Sequence, residues 1–430
     1  NMKRSPLCGR NFEYFSEDPY LAGELAASYV SSIEAEGIGT SVKHFFCNNQ
    51  EKRRFTIDSI VDERALREIY LRAFERVIKE NPASVIASYN KINGHYAVES
   101  PILKSILRSE WKYDGIVVSD WGAIGNRVDS ILATCDLEMP SSMGYQTTKV
   151  IQASQYDEKL RNAVEDSAER MLKFISKYHQ SFHQTYDVES HHQAARQIAR
   201  ESMVLLKNEG ILPLNRDEKI AMIGGFAFDM RYQGGGSSHI NPNRLDQITD
   251  IDKHYSDNII FSKGYDIKNS IETEHHIKNA INVAKDVDKV VIFVGLPDAK
   301  ETEGFDRKTL DIPTNHTHLI DEICKVNPNV IVVVISGSVV NLNFENKVKG
   351  ILMAYLGGQG AAPAILDLLY GIENPSGRLA ETFIDDIESC NVQLNDDNNA
   401  TYYDESIYIG YRYYNTFNRE VRYPFGYGLS

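Results

Sequence analysis

Four stretches of this sequence are apolar at nearly every position: KIAMIGGFA (219–227), KVVIFVGL (289–296), NVIVVVISG (329–337) and GILMAYLGG (350–358). A strand with one wet face alternates apolar and polar residues, whereas a strand with no wet face has no reason to alternate. The four runs therefore predict parallel strands covered on both faces. Helical patterns at 270–287 and 361–370 supply covering layers. The reading is a doubly wound α/β domain over residues 216–430.

Residues 1–178 repeat the alternation with shorter strands. Candidates at 40–46, 84–89, 115–119 and 135–139 are separated by helical patterns at 21–36, 63–81, 101–111 and 157–178. Strand–helix–strand order implies parallel strands and right-handed crossovers, so this half is part of a barrel or part of an open sheet. The polar stretch HQSFHQTYDVES (179–190) reads as a linker, followed by a helix at 191–206 and the breaker-rich KNEGILPLN. Residues 179–215 then connect two domains, in keeping with a chain of 430 residues, since single cores stop growing near about 250–300 residues. The tail, TYYDESIYIGYRYYNTFNREVRYPFGYGLS, is dense in tyrosine, and no internal repeat stands out.

A net charge of −14 argues against nucleic acid or an anionic membrane as partner, because both require a basic face. The five cysteines, Cys8, Cys47, Cys135, Cys324 and Cys390, contain no CxxC pair. They suggest neither a zinc site nor a disulfide framework, and favour a reducing, cytoplasmic compartment. No stretch approaches the ~20 apolar residues of a membrane span.

GIVVSDWGA (115–123) carries the chemistry. Its apolar run ends abruptly on Ser119, Asp120 and Trp121. In parallel α/β architectures the carboxyl ends of the strands form the working face. Three other strand ends are also polar: SVKHFF delivers Lys43 and His44, VIASYN delivers Tyr89, and CDLEMP delivers Asp136 and Glu138. Four polar ends in series predict one mouth. There, a carboxylate among cations and hydrogen-bond donors is held ionised. A carboxylate beside an aromatic wall suits a sugar ring and its oxocarbenium-like transition state. A lone Asp after a strand would more simply cap the next turn.

The segments KRSPLCGRNFEYFSEDPYLAG, SVKHFFCNNQEKRR, SYNKING, GIVVSDWGA, DLEMP, ESMVLLKNEGILPL, GGQGAAPAILDLLYGIENPSGRLAETF and YPFGYGLS resemble glycoside hydrolase family 3, of the β-glucosidase type. They follow the family's order over nearly the whole chain. The resemblance implies a (β/α)8 barrel, here partial, followed by an α/β sandwich domain. By the same resemblance Asp120 corresponds to the nucleophile and Trp121 to the aromatic of the glycone subsite. Arg10, Lys43, His44, Arg54 and Tyr89 match residues that grip glycone hydroxyls. Each of these cations has a plainer alternative as a structural ion pair, Arg54 above all.

Retaining hydrolysis needs a second carboxyl about 5–5.5 Å from the nucleophile, protonated at the start. The resemblance places it in the second domain, in VGLPDAKETEGFDRKTLDIP (294–313). Glu303 is the candidate acid/base and Glu301 the runner-up; crowding carboxylates is one way to raise the pKa of one of them. A solvated acidic loop is the bland alternative. RYQGGGSSHINP (231–242) lacks the GK[ST] ending of a phosphate loop and reads as a loop reaching toward the sugar site, or as a plain turn. LNDDNNATYYDE (394–405) lacks EF-hand spacing, and His191 and His192 read as surface residues rather than metal ligands.

The expectation is a retaining, exo-acting β-glucosidase without cofactor or metal, acting on a β-glucoside or β-linked oligosaccharide, with homo-oligomerisation left open. A β-xylosidase of the same family, a silent carbohydrate-binding fragment and a nucleotide-binding protein are the rivals. Family members carry upstream barrel strands, and an Asp that binds the glycone, before KRSPLCGRNFE. The sequence is therefore expected to be a fragment whose open sheet edges destabilise it and leave its own activity in doubt.

Overall fold

The computed structural model describes residues 1–179, 185–267, 274–394 and 399–430. It divides into two compact units, each drawing on more than one stretch of chain. The first comprises Asn1–Ser5, Tyr14–Gln184 and Asn391–Tyr413; the second comprises Pro6–Glu13, Thr185–Cys390 and Tyr414–Ser430.

The first unit contains a three-stranded parallel sheet with helices beside it. Strands Ser41–Phe45, Ser84–Ala87 and Ile116–Ser119 lie in that order, with Val85 opposite Val117 and Ala87 opposite Ser119. The helices begin at real caps. Asp18 accepts from the Leu21 N–H at 2.7 Å and opens Pro19–Ala35, and Asp157 opens Glu158–Tyr178, as expected of Asp at N-caps. The expected helix over 63–81 is three consecutive pieces, Glu63–Ala65, Leu66–Tyr70 and Arg72–Ile78, the middle one wound more widely. Leu103–Glu110 is wound in the same wide manner.

The expected strand at 135–139 is reduced to a single parallel bridge between Val118 and Leu137. Asp136 is the reason: its Oδ2 accepts the Val117 N–H at 2.8 Å, so a side chain occupies the donor that a strand backbone would have paired. Its carboxylate is fully buried between Arg108 and Arg170, at 2.7 and 2.8 Å. Asp136 therefore ties strand to helices and does not join the polar mouth that its place after a strand suggested.

A second, small sheet in this unit pairs Ala400–Tyr402, Asp58–Ile60, Lys91–Ile92 and His95–Tyr96. The tyrosine-dense tail thus contributes a strand, followed by buried Tyr403, whose hydroxyl donates to the Cys47 carbonyl at 2.9 Å.

The second unit is built on a six-stranded sheet in the order Val204–Asn208, Gly350–Met353, Val330–Ile335, Lys289–Gly295, Ile220–Ile223, Ile259–Ser262. All pairs are parallel except the first. The two central strands are buried almost throughout, as their unbroken apolar runs demand. The structure differs from the sequence reading at several element boundaries and in one edge strand. The helix expected at 191–206 is Val188–Ser202, because Met203 turns extended and the Val204–Asn208 strand pairs antiparallel with Gly350–Met353. The strand expected at 219–227 stops at Ile223, where the chain enters the helical turn Gly225–Phe228. The Ile259–Ser262 edge strand is not expected from sequence, because its apolar run is only three residues long; its middle residue Ile260 is exposed. Residues 180–184 of the expected linker, 270–273 of the expected helix and 395–398 of the acidic tail segment lie outside the described residues.

Candidate active site

In the first unit, candidate site residues sit at the carboxyl ends of the three parallel strands. The Asp120 N–H donates to the Ala87 carbonyl at 3.0 Å, so the ladder holds the residue just past its strand. Its Oδ1 accepts the Trp121 N–H at 2.8 Å. Its Oδ2 lies 3.6 Å from His44 Nε2 and is buried with no hydrogen-bond donor in reach among the described residues. The result is one pinned oxygen and one with its lone pairs uncommitted. The Trp121 side chain is 62% exposed, an apolar plate one residue from that carboxylate.

His44 is buried and follows the exposed Lys43 on the Ser41–Phe45 strand. Arg54 and Tyr89 meet. The guanidinium lies 5.0 Å from the Tyr89 ring and 5.2 Å from the Phe55 ring, and the two rings are 4.4 Å apart. Arg54 also pairs with the buried Glu51 at 2.6 Å, so the ion pair allowed for in its sequence is present. The sequence does not single out Glu51 and Phe55. Both lie within four residues of Arg54 in NNQEKRRF, and the spacing alone does not reveal that they fix its plane.

In the second unit, the candidate acids lie on the loop leaving the Lys289–Gly295 strand. Its carboxylates meet hydrogen-bond donors, Asp298 and Glu301 sharing Arg231 at 2.9 and 2.6 Å. Glu301 is buried and accepts from Arg231 Nη1 at 2.6 Å, the Gly337 N–H at 2.8 Å and the Ser338 hydroxyl at 2.6 Å. Burial opposes its ionisation, but the Arg231 and Arg307 guanidiniums and these donors outweigh it and hold the carboxyl below its ordinary range. A carboxylate so committed has no proton to give, and Glu301 is a structural anchor rather than an alternative acid. Asp306 accepts the Gly9 N–H at 3.0 Å. Arg307 Nη2 donates to the carbonyls of Pro6 and Val339.

The Glu303 side chain stays partly open, 14% exposed, in contrast to the buried Glu301. Its Oε2 accepts the Ser237 N–H at 2.8 Å and its Oε1 lies 3.5 Å from Arg10 Nη1. Arg10 is 1% exposed and is clamped by both oxygens of Glu13, at 2.8 and 2.7 Å. The sequence put Arg10 among the residues that hold the sugar; its observed partners are two carboxylates, one of them Glu303. Glu13 went unremarked, although GRNFE places it three residues on, the spacing of one turn, and Asn11–Glu13 is such a turn. Gly9 fits because a Cβ there would lie 1.8 Å from the Phe305 carbonyl oxygen, so the 6–13 segment lies directly on the Glu303 loop.

An open cleft of about 620 Å³ in this unit is lined by Phe12, Glu13, Tyr232, Gln233, Gly234 and Gln359, among others. That volume is within the range of small-molecule sites, and two segments that hold Glu303 form part of its wall. His192, read from sequence as a surface residue, is instead buried, with Nε2 3.0 Å from Asp246; the acidic partner comes from a loop 54 residues away. No cluster of three or more metal-ligating side chains occurs among the described residues, and no helix among them is long and apolar enough to cross a membrane.

Comparison with known proteins gives two family-model matches: the glycosyl hydrolase family 3 N terminal domain over residues 1–173 and the glycosyl hydrolase family 3 C-terminal domain over residues 203–430. The chain is 47% identical over 440 residues to thermostable beta-glucosidase B of Acetivibrio thermocellus, covering all of this chain and 58% of that protein. It is 41% identical over 448 residues to an exo-alpha-(1->6)-L-arabinopyranosidase of Bifidobacterium longum, covering all of this chain and 59% of that one. The crystal structure of the Bifidobacterium adolescentis GH3 beta-glucosidase superposes with a TM-score of 0.96 at 41% identity, over all of this chain and 64% of that chain. The chain thus spans well under two thirds of the length of these curated relatives.

Proposed function

The chain belongs to glycosyl hydrolase family 3, and on that premise we propose that it carries the chemistry of a retaining, exo-acting β-glucosidase that removes terminal non-reducing β-D-glucosyl residues. Asp120 attacks the anomeric carbon with Oδ2 as the glycosidic C–O bond breaks. The leaving oxygen takes the proton of Glu303. Water then attacks the glycosyl ester, giving its proton to Glu303 and releasing the sugar with net retention. Trp121 packs against the apolar face of the ring. Lys43, His44, Arg54 and Tyr89 are assigned to the glycone hydroxyls.

The observation that supports this reading most is the asymmetry of the Asp120 carboxylate. A structural carboxylate has both oxygens satisfied, whereas here Oδ2 is buried and lacks a donor. The 47% identity to a beta-glucosidase supports glucose as glycone. The arabinopyranosidase relative makes an arabinopyranoside the competitor to measure beside a β-xyloside.

The test is covalent trapping. Incubation with an activated 2-deoxy-2-fluoro-β-glucoside and peptide mass mapping is expected to place a fluoroglucosyl group on the peptide containing Asp120. An adduct on another carboxylate overturns the assignment. A silent carbohydrate-binding protein gives no adduct while still binding glucose.

A further inference from the structure

We propose that the glycine-rich loop at 234–237 is the positioning element of the acid/base, orienting Glu303 through a backbone hydrogen bond that glycine at 236 permits. This rests on Glu303 being the acid/base. The stretch has no phosphate-loop ending, and its backbone is engaged elsewhere. The Gly235 N–H donates to the Glu301 carbonyl at 3.0 Å and the Glu303 N–H donates to the Gly235 carbonyl at 3.2 Å. These two bonds straddle Thr302 as a parallel bridge. The loop therefore runs as a short strand against the segment that carries both glutamates.

One residue further on, Gly236 takes φ +105°, and a Cβ there would lie 2.4 Å from the Cβ of Glu303. Both the backbone conformation and the space exclude a side chain. That close passage delivers the Ser237 N–H to Glu303 Oε2 at 2.8 Å. Across the carboxyl, Arg10 stands 3.5 Å from Oε1. Its charge is already matched by the bidentate contact to Glu13, so it guides the carboxyl without the full field of an unpaired cation. With donors on Oε2 from one segment and on the Oε1 side from another, the plane of the carboxyl is set.

Orientation of an acid matters only where the leaving group needs a proton. Gly236→Ala and Ser237→Pro are therefore assayed beside Glu303→Ala over aryl β-glucosides of decreasing leaving-group acidity. The proline removes the donor N–H without adding a Cβ at 236. Both loop variants are expected to lose about 10²-fold in kcat/KM for the least acidic phenol, and to stay within about threefold of the parent for dinitrophenol. An equal loss across the series overturns the proposal, since general disruption of the fold acts on all substrates alike. If Glu303→Ala itself shows no leaving-group dependence, the acid/base assignment fails rather than the role of the loop.

A second measurement needs no turnover. In chain labelled with 15N-serine, the Ser237 amide proton is expected to move with pH as Glu303 titrates, and to stop moving in Glu303→Gln and in Gly236→Ala. A Ser237 amide indifferent to pH in the parent chain overturns the hydrogen bond on which the proposal stands.

Discussion

Asp120 and Asp136 lie 16 residues apart in the first unit, the first ending an apolar run and the second inside the strand candidate 135–139, and their surroundings are opposite. Asp136 has two arginines and a backbone N–H on its carboxylate. Asp120 has one backbone N–H, a histidine at 3.6 Å, and an oxygen left over. Glu301 and Glu303 differ in the second unit too: the first is buried among three close donors, the second accepts the Ser237 N–H, lies 3.5 Å from Arg10 and stays partly open. Saturation distinguishes a carboxylate that holds the fold from one that can react. A fully paired carboxylate neither attacks nor gives up a proton without breaking what it holds.

The largest effect that would break this comparison is in activity. Asp120→Asn removes the attacking oxygen and is expected to lower kcat about 10⁴-fold or more. Because Oδ2 holds nothing in place, the same change is expected to shift the thermal unfolding midpoint little. A large loss of stability together with activity would put Asp120 in the structural class. Asp136→Asn should do the reverse. It leaves Arg108 and Arg170 facing a buried neutral amide, at a cost of about 3–5 kcal/mol, read by urea denaturation.

Glu301 sharpens the comparison through pH. Its folded-state pKa lies below its ordinary value of 4.5, so the unfolded chain takes up the proton first as the solution is acidified. Its contribution is therefore fully present above about pH 5 and is lost as pH falls through the depressed folded value. Glu301→Gln is expected to cost about 3–5 kcal/mol at pH 7, because the buried Arg231 and Arg307 guanidiniums lose a buried counter-charge, Arg231 keeping only Asp298 at 2.9 Å. The gap between variant and parent should narrow steadily below pH 4. A gap that widens in acid would mean that Glu301 is protonated in the fold, and would return it to candidacy as the acid.

Much of this was legible in the sequence because it follows from runs and spacing. VVIFV and VIVVVI could only be strands buried on both faces, and Asp120 was conspicuous for interrupting such a run. What stayed hidden depends on contacts between distant residues. Val204–Asn208 pairs with a strand over 140 residues later, so nothing local separates it from the end of the preceding helix. Asp136 and Glu301 look like site residues in sequence because polar residues after strands do; only the arginines from distant elements reveal their structural role. The glycine-rich loop works through backbone N–H and C=O groups, which every residue has, so its pairing with the Glu303 segment leaves no trace beyond the glycines.

The smallest effect concerns how the tail braces the strand ends around His44 in the first unit. The Tyr403 hydroxyl reaches the Cys47 carbonyl at 2.9 Å, three residues beyond His44. That carbonyl also accepts from Ser59 Oγ at 3.1 Å and Asn90 Nδ2 at 3.2 Å. Tyr403→Phe therefore leaves the acceptor satisfied and keeps the buried ring against Arg4, 3.7 Å from its centroid. The expected loss is about 1 kcal/mol in urea denaturation, with a small change in kcat. A loss several times larger would mean that the hydroxyl holds the 44–47 turn by itself. His44, and through it the uncommitted oxygen of Asp120, would then depend on the tail, and the reactive carboxylate would be less independent of the structural contacts than its own partners suggest.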